Sequence, residues 1–326
     1  MNQPSPTRRR GLIAGACAAA LAPFSLRAQE YPTKVIRIVN GFAAGGSSDI
    51  VARLIAQKLS ESLKQQVIVE TRTGAGGMIA NEYVAKAAPD GYTLIVITGG
   101  YPAQSAMLKK LPYDPVRDFA MISPLTFYPF VVSVTPASPF KSIEELIAYA
   151  KANPGKLNYA TAGIGTLHHL STELFNVMAG VEMTHVPFKG GTTAVTELMA
   201  GRVDVMFETM TLTVTQVQAG KLRPLAVTSA ARVAALPGVP ALADILPGYE
   251  VSSFLGLATT AGTPPAIVDR LNREVRLALD QPDIRKRLQD LGGEARASSP
   301  EEMRQYIERE ISKWKRVVDA RKIEQQ

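Results

Sequence analysis

The stretch Val35–Leu59, "VIRIVNGFAAGGSSDIVARLIAQKL", contains the pattern on which the predicted fold is based. Its apolar run predicts a β-strand over 35–39, and apolar residues at helical spacing predict a helix over 48–63. Between them lies a loop of small residues. The start of a helix presents backbone N–H groups without partners and a partial positive charge, so such a loop favours binding of an anion.

This order of strand, small-residue loop and helix occurs three times. The pattern predicts further units at 157–178 and 184–200, and single strands at 66–70, 93–98 and 130–136. The chain beyond Pro264 predicts mainly helices. Alternating strands and helices indicate an α/β fold with two mixed, mostly parallel sheets flanked by helices. Two units that face each other would line a cleft with helix starts.

The first 28 residues predict a secretory signal. A basic start is followed by an apolar segment over 11–22 and by the small residue Ala28, near which we expect cleavage. The arginines before the apolar segment also resemble a twin-arginine signal. A basic amphipathic tail is the alternative. Cleavage would place the mature protein in the periplasm.

Composition excludes several functions. The chain of 326 residues has a formal net charge of +7, and loss of four leader arginines leaves 32 basic against 29 acidic residues, a net charge of +3. So small a charge does not favour nucleic-acid binding. The single cysteine, Cys17, lies in the leader, which excludes disulfides and thiolate chemistry from the mature chain. Neither G-x-S-x-G nor H-E-x-x-H occurs, and we expect no enzyme activity, cofactor or metal.

The first loop, "GFAAGGSSD", supports two functions and one purely structural interpretation. It follows a strand and opens a helix, and Glu70 ends the next strand, as in a dinucleotide site. Its glycines do not follow the G-x-G-x-x-G spacing, however, and an exported protein meets little nicotinamide cofactor. A small carboxylate bound by the free amides is the second function. A tight turn with Ser48 or Asp49 as helix cap is the structural alternative.

The second loop, Ala162–Thr166, also opens a helix and adds a threonine hydroxyl. His168 and His169 follow it, but adjacent residues do not share one face of a helix and are poor joint metal ligands. We expect one histidine to be packed and the other to be exposed.

The third loop, "KGGTT" at 189–193, begins with a lysine that either attracts an anion or is solvated. Glu208 follows the strand "VDVMF", at the end where ligand sites of α/β proteins lie. The alternative for Glu208 is an ordinary surface acid.

Long ordered stretches together resemble one family. They include "GFAAGGSSDIVAR", "GAGGMIANEYVAKAAPDGYTL", "LIAYAKANPGKLNYATAGIGTLHHLSTELF", "HVPFKGGTTAVTELMAGRVDVMF" and "GLATTAGTPPAIVDRLN". These stretches are similar to those of Bug-type receptors, the substrate-binding components of tripartite tricarboxylate transporter systems. The resemblance extends from about Tyr31 to Ala320.

The resemblance implies a periplasmic binding protein of the type II-like, Venus-flytrap architecture. One domain would comprise 29–128 plus 252–326 and the other 129–251, with hinges near 125–131 and 249–254. The domains would close on a small organic acid, a dicarboxylate, tricarboxylate or aromatic acid, held by amides and water and not by arginine. The implied partners are membrane transporter subunits or a sensor kinase, and the protein would be a monomer.

The resemblance also carries over a set of ligand contacts. Two positions depart from the family: Gly100-Tyr101 replaces more polar residues, and Tyr101 would leave room for, or stack on, an aromatic acid, while Glu208 stands where relatives usually have aspartate. The implied ligand-binding residues are Phe42, Ala43, Ala44, Gly45, Ser47, Asp49, Thr98, Gly99, Tyr101, Gly163, Gly165, Thr166, His169, Lys189, Gly190 and Glu208.

Two other classes of function stay open at the level of sequence. A nucleotide-dependent enzyme of the doubly wound class would need a cytoplasmic location and a loop that fits a phosphate. An interaction protein that keeps the fold without transport is the third possibility.

Overall fold

One strand, β4, belongs to both halves of the fold. The computed structural model describes residues 31–321 and Gln325, so the predicted signal over 1–28 lies outside the described residues. The described strands are β1 (Ile36–Asn40), β2 (Val67–Thr71), β3 (Thr93–Thr98), β4 (Phe119–Val134), β5 (Asn158–Thr161), β6 (Thr184–Pro187), β7 (Val205–Thr209), β8 (Arg223–Val227), β9 (Ser252–Thr260) and β10 (Glu294–Ala295).

The helices alternate with these strands and then dominate the last part of the chain, as the pattern predicts. They are α1 (Ser47–Leu63), α2 (Met78–Ala85), α3 (Gly100–Met107), α4 (Ile143–Ala152), α5 (Leu167–Ala179), α6 (Gly191–Met199), α7 (Met210–Gln218), α8 (Pro265–Asp280), α9 (Pro282–Asp290) and α10 (Pro300–Arg321). In the described part of the chain, none of them is both long and apolar enough to cross a membrane.

The strands form a mixed sheet in the order β2-β1-β3-β9-β4-β7-β5-β6, with β8 and β10 also paired to β4. Among the described strands, β1 pairs in parallel with β2 and β3, and β5 with β6 and β7, while an isolated parallel bridge joins Val227 of β8 to Ala241. Every pairing of β4 and β9 is antiparallel. The α/β fold with mixed sheets is therefore confirmed, but "mostly parallel" holds only for these two βα units.

β4 changes its partner halfway along its length. Residues 119–129 pair with β9, whereas 130–134 pair with β7 and β8. Register shifts flank Pro124, as expected where a proline interrupts a ladder. The two predicted sheets are thus continuous through one strand, and the residues from Lys34 onward form one compact unit.

Separate apolar clusters cover the sheet. Ile97 of β3 and Phe254 of β9 pack with Met303 and Ile307 of α10. In the other half, Met206 of β7 packs in a cluster with residues of α6 and β5. Burial on these faces positions the strand ends, and therefore the loops and helix starts that follow them.

Candidate functional site

Five helices begin at one crevice in the described part of the chain. α1, α3, α5, α6 and α7 each place a first-turn residue, or the residue just before the helix, on its surface. β4 contributes Tyr128 and Phe130, and β9 contributes Ser253 and Leu255. The space, counted with its opening to solvent, is about 560 Å³.

The amides at three of these helix starts have no helical acceptor. The first backbone hydrogen bond is donated by Ile50 in α1, by Leu170 in α5 and by Ala194 in α6. The N–H groups of the three residues before each donor are therefore left for another acceptor. Each helix start stabilises a nearby anion by about 0.3–1 kcal/mol, and by about 2 kcal/mol when partly buried.

These five helices also lack side-chain caps. No cap side chain bonds to the first turn of α1, α3, α5, α6 or α7. Away from the crevice, α2, α8 and α9 also lack side-chain caps, whereas α4 and α10 are capped. The N–H of Glu145 donates to Ser142 Oγ at 3.3 Å, and the N–H of Glu302 donates to Ser299 Oγ at 3.2 Å. All five helix starts at the crevice thus leave their first-turn amides without a side-chain cap.

Two hydroxyls meet between loops that are far apart in sequence. Ser47 Oγ, at the start of α1, and Thr209 Oγ1, just before α7, are buried and lie 2.5 Å apart. The loops of α1 and α6 also touch, because a Cβ added to Gly190 would lie 3.5 Å from the Cβ of Ala43. Gly190 has a φ of +123°, which favours glycine. These contacts close the crevice on one side.

A buried acid lies in the crevice. Glu208 is only 2% exposed, so its interpretation as a surface acid is wrong. Its Oε1 accepts hydrogen bonds from the Thr209 N–H at 2.6 Å and from His168 Nε2–H at 3.0 Å. Its Oε2 has no hydrogen-bond partner in the described chain and would lie 2.4 Å from a Cβ added to Gly191. Glu208 therefore keeps one free acceptor oxygen.

The two adjacent histidines have different surroundings. His168 lines the crevice and stacks on Phe130, with ring centroids 4.8 Å apart. Its side chain is only 14% exposed, so the expectation of an exposed histidine is wrong. His169 is packed as expected, but it is not on the crevice. The expectation that His169 contacts the ligand is therefore not supported, because α5 directs this side chain toward the loop that precedes the helix.

His169 belongs to a buried stack of rings behind α5. Its ring lies on His185 with centroids 4.2 Å apart, and His185 lies on Tyr159 at 4.9 Å. Burial lowers the pKa of His169, and burial together with the neighbouring His169 lowers the pKa of His185 to about 4. Both rings are neutral at pH 7. His169 Nδ1 accepts the Gly165 N–H at 3.4 Å, which uses that amide inside the loop.

The structure brings together residues from every predicted loop. The predicted residues that line the crevice are Phe42, Ala43, Ser47, Thr98, Thr166 and Glu208. The predicted residues that are not part of its surface are Ala44, Gly45, Asp49, Gly99, Tyr101, Gly163, Gly165, His169, Lys189 and Gly190.

Three of these residues are directed elsewhere by their own contacts. The carboxylate of Asp49 accepts the Gly45 N–H and the Arg53 guanidinium, each at 2.9 Å, so it stabilises its own loop. Gly45 has a φ of +77° at the exposed tip of that turn. Lys189 is exposed, so its role as a ligand contact is not supported by its position.

Tyr101 is a core residue, contrary to the expectation that it stacks on a ligand. It is 2% exposed, and its hydroxyl donates to the Pro115 carbonyl at 2.8 Å. Its ring stacks on Tyr113 and meets the edge of Phe119. Both faces are thus occupied because β3 directs the start of α3 inward, against β4.

Many residues that line the crevice were not among the predicted ligand contacts. Some of them lie next to predicted residues, at the same helix starts. The residues of β4 and β9 lie in ordinary strand sequence, where no local pattern indicates a binding site. The additional lining residues are Gly46, Ser48, Gly100, Tyr128, Phe130, Ala162, Leu167, His168, Gly191, Thr192, Thr209, Leu212, Ser253 and Leu255.

The protein has an α/β fold whose mixed sheet contains one long shared strand, and helix starts form its crevice. This architecture is that of the periplasmic solute-binding receptors. Within that class, the chain belongs to the tripartite tricarboxylate transporter family receptors, whose family model matches residues 51–323. The expected resemblance to Bug-type receptors is confirmed.

Three relatives illustrate the likeness. Protein BugT of Bordetella pertussis is 34% identical, with 93% of each chain covered. The structure of Rhodopseudomonas palustris Rpa4515 with adipate is similar at 37% identity and a TM-score of 0.87, covering 90% of this chain and 98% of that one. MatC of the same organism, with bound malate, is similar at 37% identity and a TM-score of 0.85, covering 88% of this chain and 100% of that one.

Proposed function

We propose that this protein is a periplasmic receptor that binds a small organic carboxylate in the crevice. It delivers the ligand to a membrane transporter or reports it to a sensor kinase. The observation that carries the proposal is the convergence of five uncapped helix starts. Among the described residues, no lysine or arginine lines the crevice, so the amides are the positive groups that face the ligand.

The energies are sufficient for this role. Several amide donors and helix dipoles in a partly dry crevice each contribute on the order of 1 kcal/mol beyond what water provides. Burial of the ligand's apolar carbons adds about 25 cal/mol per Å². Micromolar affinity requires about 8 kcal/mol in total. The adipate and malate in the two R. palustris proteins support a carboxylate as the ligand here.

The proposal includes two domains, 29–128 plus 252–326 and 129–251, that close about hinges at 125–131 and 249–254. The change of β4 pairing between residues 129 and 130 supports the first boundary. The start of β9 at Ser252 supports the second boundary. Binding would favour the closed state because the ligand contacts both domains there.

We further propose that the receptor is exported, works as a monomer, binds no nucleic acid and catalyses no reaction. The family to which the chain belongs is one of receptors and not of enzymes, which supports the last point.

A ligand screen with one matched pair of variants tests the proposal. Succinate, malate, adipate, citrate and benzoate are added at millimolar concentration to the mature chain, and the melting temperature and heat of binding are measured. Ala43→Asp places a carboxylate on the crevice, whereas Ala44→Asp places it on the exposed neighbouring position. Ala43→Asn separates the effect of charge from that of size.

We expect at least one acid to raise the melting temperature. We expect Ala43→Asp to abolish that effect, and Ala44→Asp to keep it. If no acid stabilises the protein, or if Ala43→Asp binds as wild type does, the crevice is not a carboxylate site.

A further inference from the structure

We propose that the ligand of this receptor carries a hydrogen-bond donor, a hydroxyl or an ammonium group, that binds Glu208 Oε2. The inference rests on the proposed function, because it orients a carboxylate ligand within the same crevice. It narrows the ligand class from any small acid to hydroxy or amino acids.

The first argument is the unused acceptor. An ionised carboxylate accepts hydrogen bonds and donates none. Oε1 of Glu208 already has two donors, whereas Oε2 has none in the described chain although the side chain is 2% exposed. A buried acceptor without a partner is costly, so a site of this kind selects a ligand that supplies the donor.

The second argument is the neighbouring histidine. His168 Nε2 bonds to Glu208 Oε1, and the other ring nitrogen, Nδ1, is buried and without a partner in the described chain. This end of the crevice therefore holds two buried polar atoms without partners, and one of them is a carboxylate oxygen. A buried carboxylate oxygen suits a donor group of the ligand and repels its carboxylate.

The third argument is the distribution of charge. The side chain that bonds to Glu208 in the described chain is His168, and no lysine or arginine lines the crevice. Glu208 lies against Gly191 at the start of α6 and accepts the amide just before α7. These two helix starts therefore stabilise Glu208 itself. The starts of α1, α3 and α5 are left for the carboxylate of the ligand.

Matched ligand series test the inference on the wild-type protein. Succinate, malate and aspartate differ only in a hydrogen, a hydroxyl and an ammonium group. Adipate, 2-hydroxyadipate and 2-aminoadipate form the same series with a longer chain. We expect at least one substituted acid to bind at least about tenfold more tightly than its plain diacid, as for a hydrogen bond to a charged group. The preferred substituent identifies the donor.

A second measurement assigns the preference to Glu208. Glu208→Gln keeps the shape but makes the side chain a donor as well as an acceptor, and we expect the tenfold preference to disappear while the plain diacid binds equally or better. Glu182→Gln makes the same change on an exposed residue and should keep the preference. Glu208→Asp, which withdraws Oε2 by one methylene, serves if the glutamine variant does not fold.

The outcomes separate the two proposals. Plain diacids that bind as tightly as their substituted partners in both series would overturn this inference and leave the carboxylate receptor intact. Retention of the preference in Glu208→Gln would overturn it as well. Failure of every acid to bind would contradict the proposed function itself.

Discussion

Close approach explains why glycine occurs at Gly191, on the crevice, and at Gly99, beside it. A Cβ added to Gly99 would lie 2.6 Å from Ser253 Oγ and 2.7 Å from Leu167 Cδ2. One added to Gly191 would lie 2.4 Å from Glu208 Oε2. Distances under 3 Å require a neighbour to move, so these glycines allow separate loops to meet.

Gly191→Ala should weaken ligand binding without unfolding the protein. The new methyl group displaces the carboxylate of Glu208, and loss of a ligand hydrogen bond to a charged group costs about 1.5–3 kcal/mol, or about tenfold or more in affinity. Calorimetric titration with the best acid measures the effect. Gly238→Ala is the control, because no atom lies within 4 Å of its added Cβ. Equal affinities for the two variants would show that Glu208 has room to move.

The buried histidine pair predicts a loss of stability in acid. The pKa of His185 falls from 6.5 to about 4, and that of His169 is also lowered. The unfolded chain therefore binds more protons than the folded chain between these pH values. The free energy of unfolding should be insensitive to these groups above pH 6.5 and decrease as the pH falls toward about 4.

His185→Phe tests this linkage. The substitution keeps an aromatic ring in the stack on Tyr159 but removes one titrating group. Melting temperatures measured across the acidic range should decline less steeply than in wild type. The substitution also removes the hydrogen bond between His185 and Thr161, which lowers the melting temperature at every pH. The difference in melting temperature between variant and wild type near pH 7 measures this constant effect. An unchanged slope would assign the acid sensitivity to other groups.

Among the elements, the capped helix start of α4 lies away from the crevice and contrasts with the uncapped starts that line it. The sequence "KSIEEL" at 141–146 correctly predicts a capped helix start. The Lys141 N–H donates to the Glu145 carboxylate at 2.6 Å, in addition to the bond that Ser142 Oγ accepts. The crevice helices begin instead at glycine or threonine and leave their amides open.

Ser142→Ala should lower the free energy of unfolding by about 1 kcal/mol, the usual cost of a lost cap. Ligand affinity should stay the same, because α4 does not line the crevice. Denaturant unfolding and calorimetric titration measure the two quantities on one preparation. Ser142→Asp, an equally good cap, is the control. A change in affinity would indicate that α4 takes part in closure.

Two helices, α3 and α7, were not predicted from the sequence, for identifiable reasons. The segment of α3 contains Gly100 and Pro102, which are typical of loops, although proline is tolerated in the first turn of a helix. α7 alternates threonine with apolar residues and is typical of a strand. α7 is nevertheless a helix, because its packing against β4 and β7 outweighs a weak local preference for strand.

At the scale of the whole molecule, the contact between Ser47 and Thr209 joins the two proposed domains. The residues are 162 positions apart, and their hydroxyl oxygens lie 2.5 Å from each other. The mature chain, without its predicted signal, contains no cysteine. Two cysteines introduced at these positions would therefore have no competing thiols. The separation is close to the length of an S–S bond, about 2.05 Å, so the pair can test closure of the crevice.

Ser47→Cys combined with Thr209→Cys should give a disulfide that holds the crevice closed. The oxidised protein, purified without ligand, should bind an acid at least tenfold more slowly than wild type, and a reducing agent should restore the rate. Stopped-flow fluorescence measures the rates, and each single variant is the control. Binding at the wild-type rate in the oxidised form would mean that the ligand enters without separation of these loops.

The local features of this protein could be predicted from its residues alone. The sequence predicts the strands of the βα units, the small-residue loops, the helix starts and the family. These features can be predicted because they depend on residues that are close to one another in the sequence. Only the tertiary structure decided that His168 and not His169 lines the crevice, that Tyr101 is core, and that Glu208 is buried beside Gly191. The physical reason is that the crevice exists only where β4 and β9 bring loops from distant parts of the chain together. Which side of each loop becomes its surface depends on packing that no single segment contains.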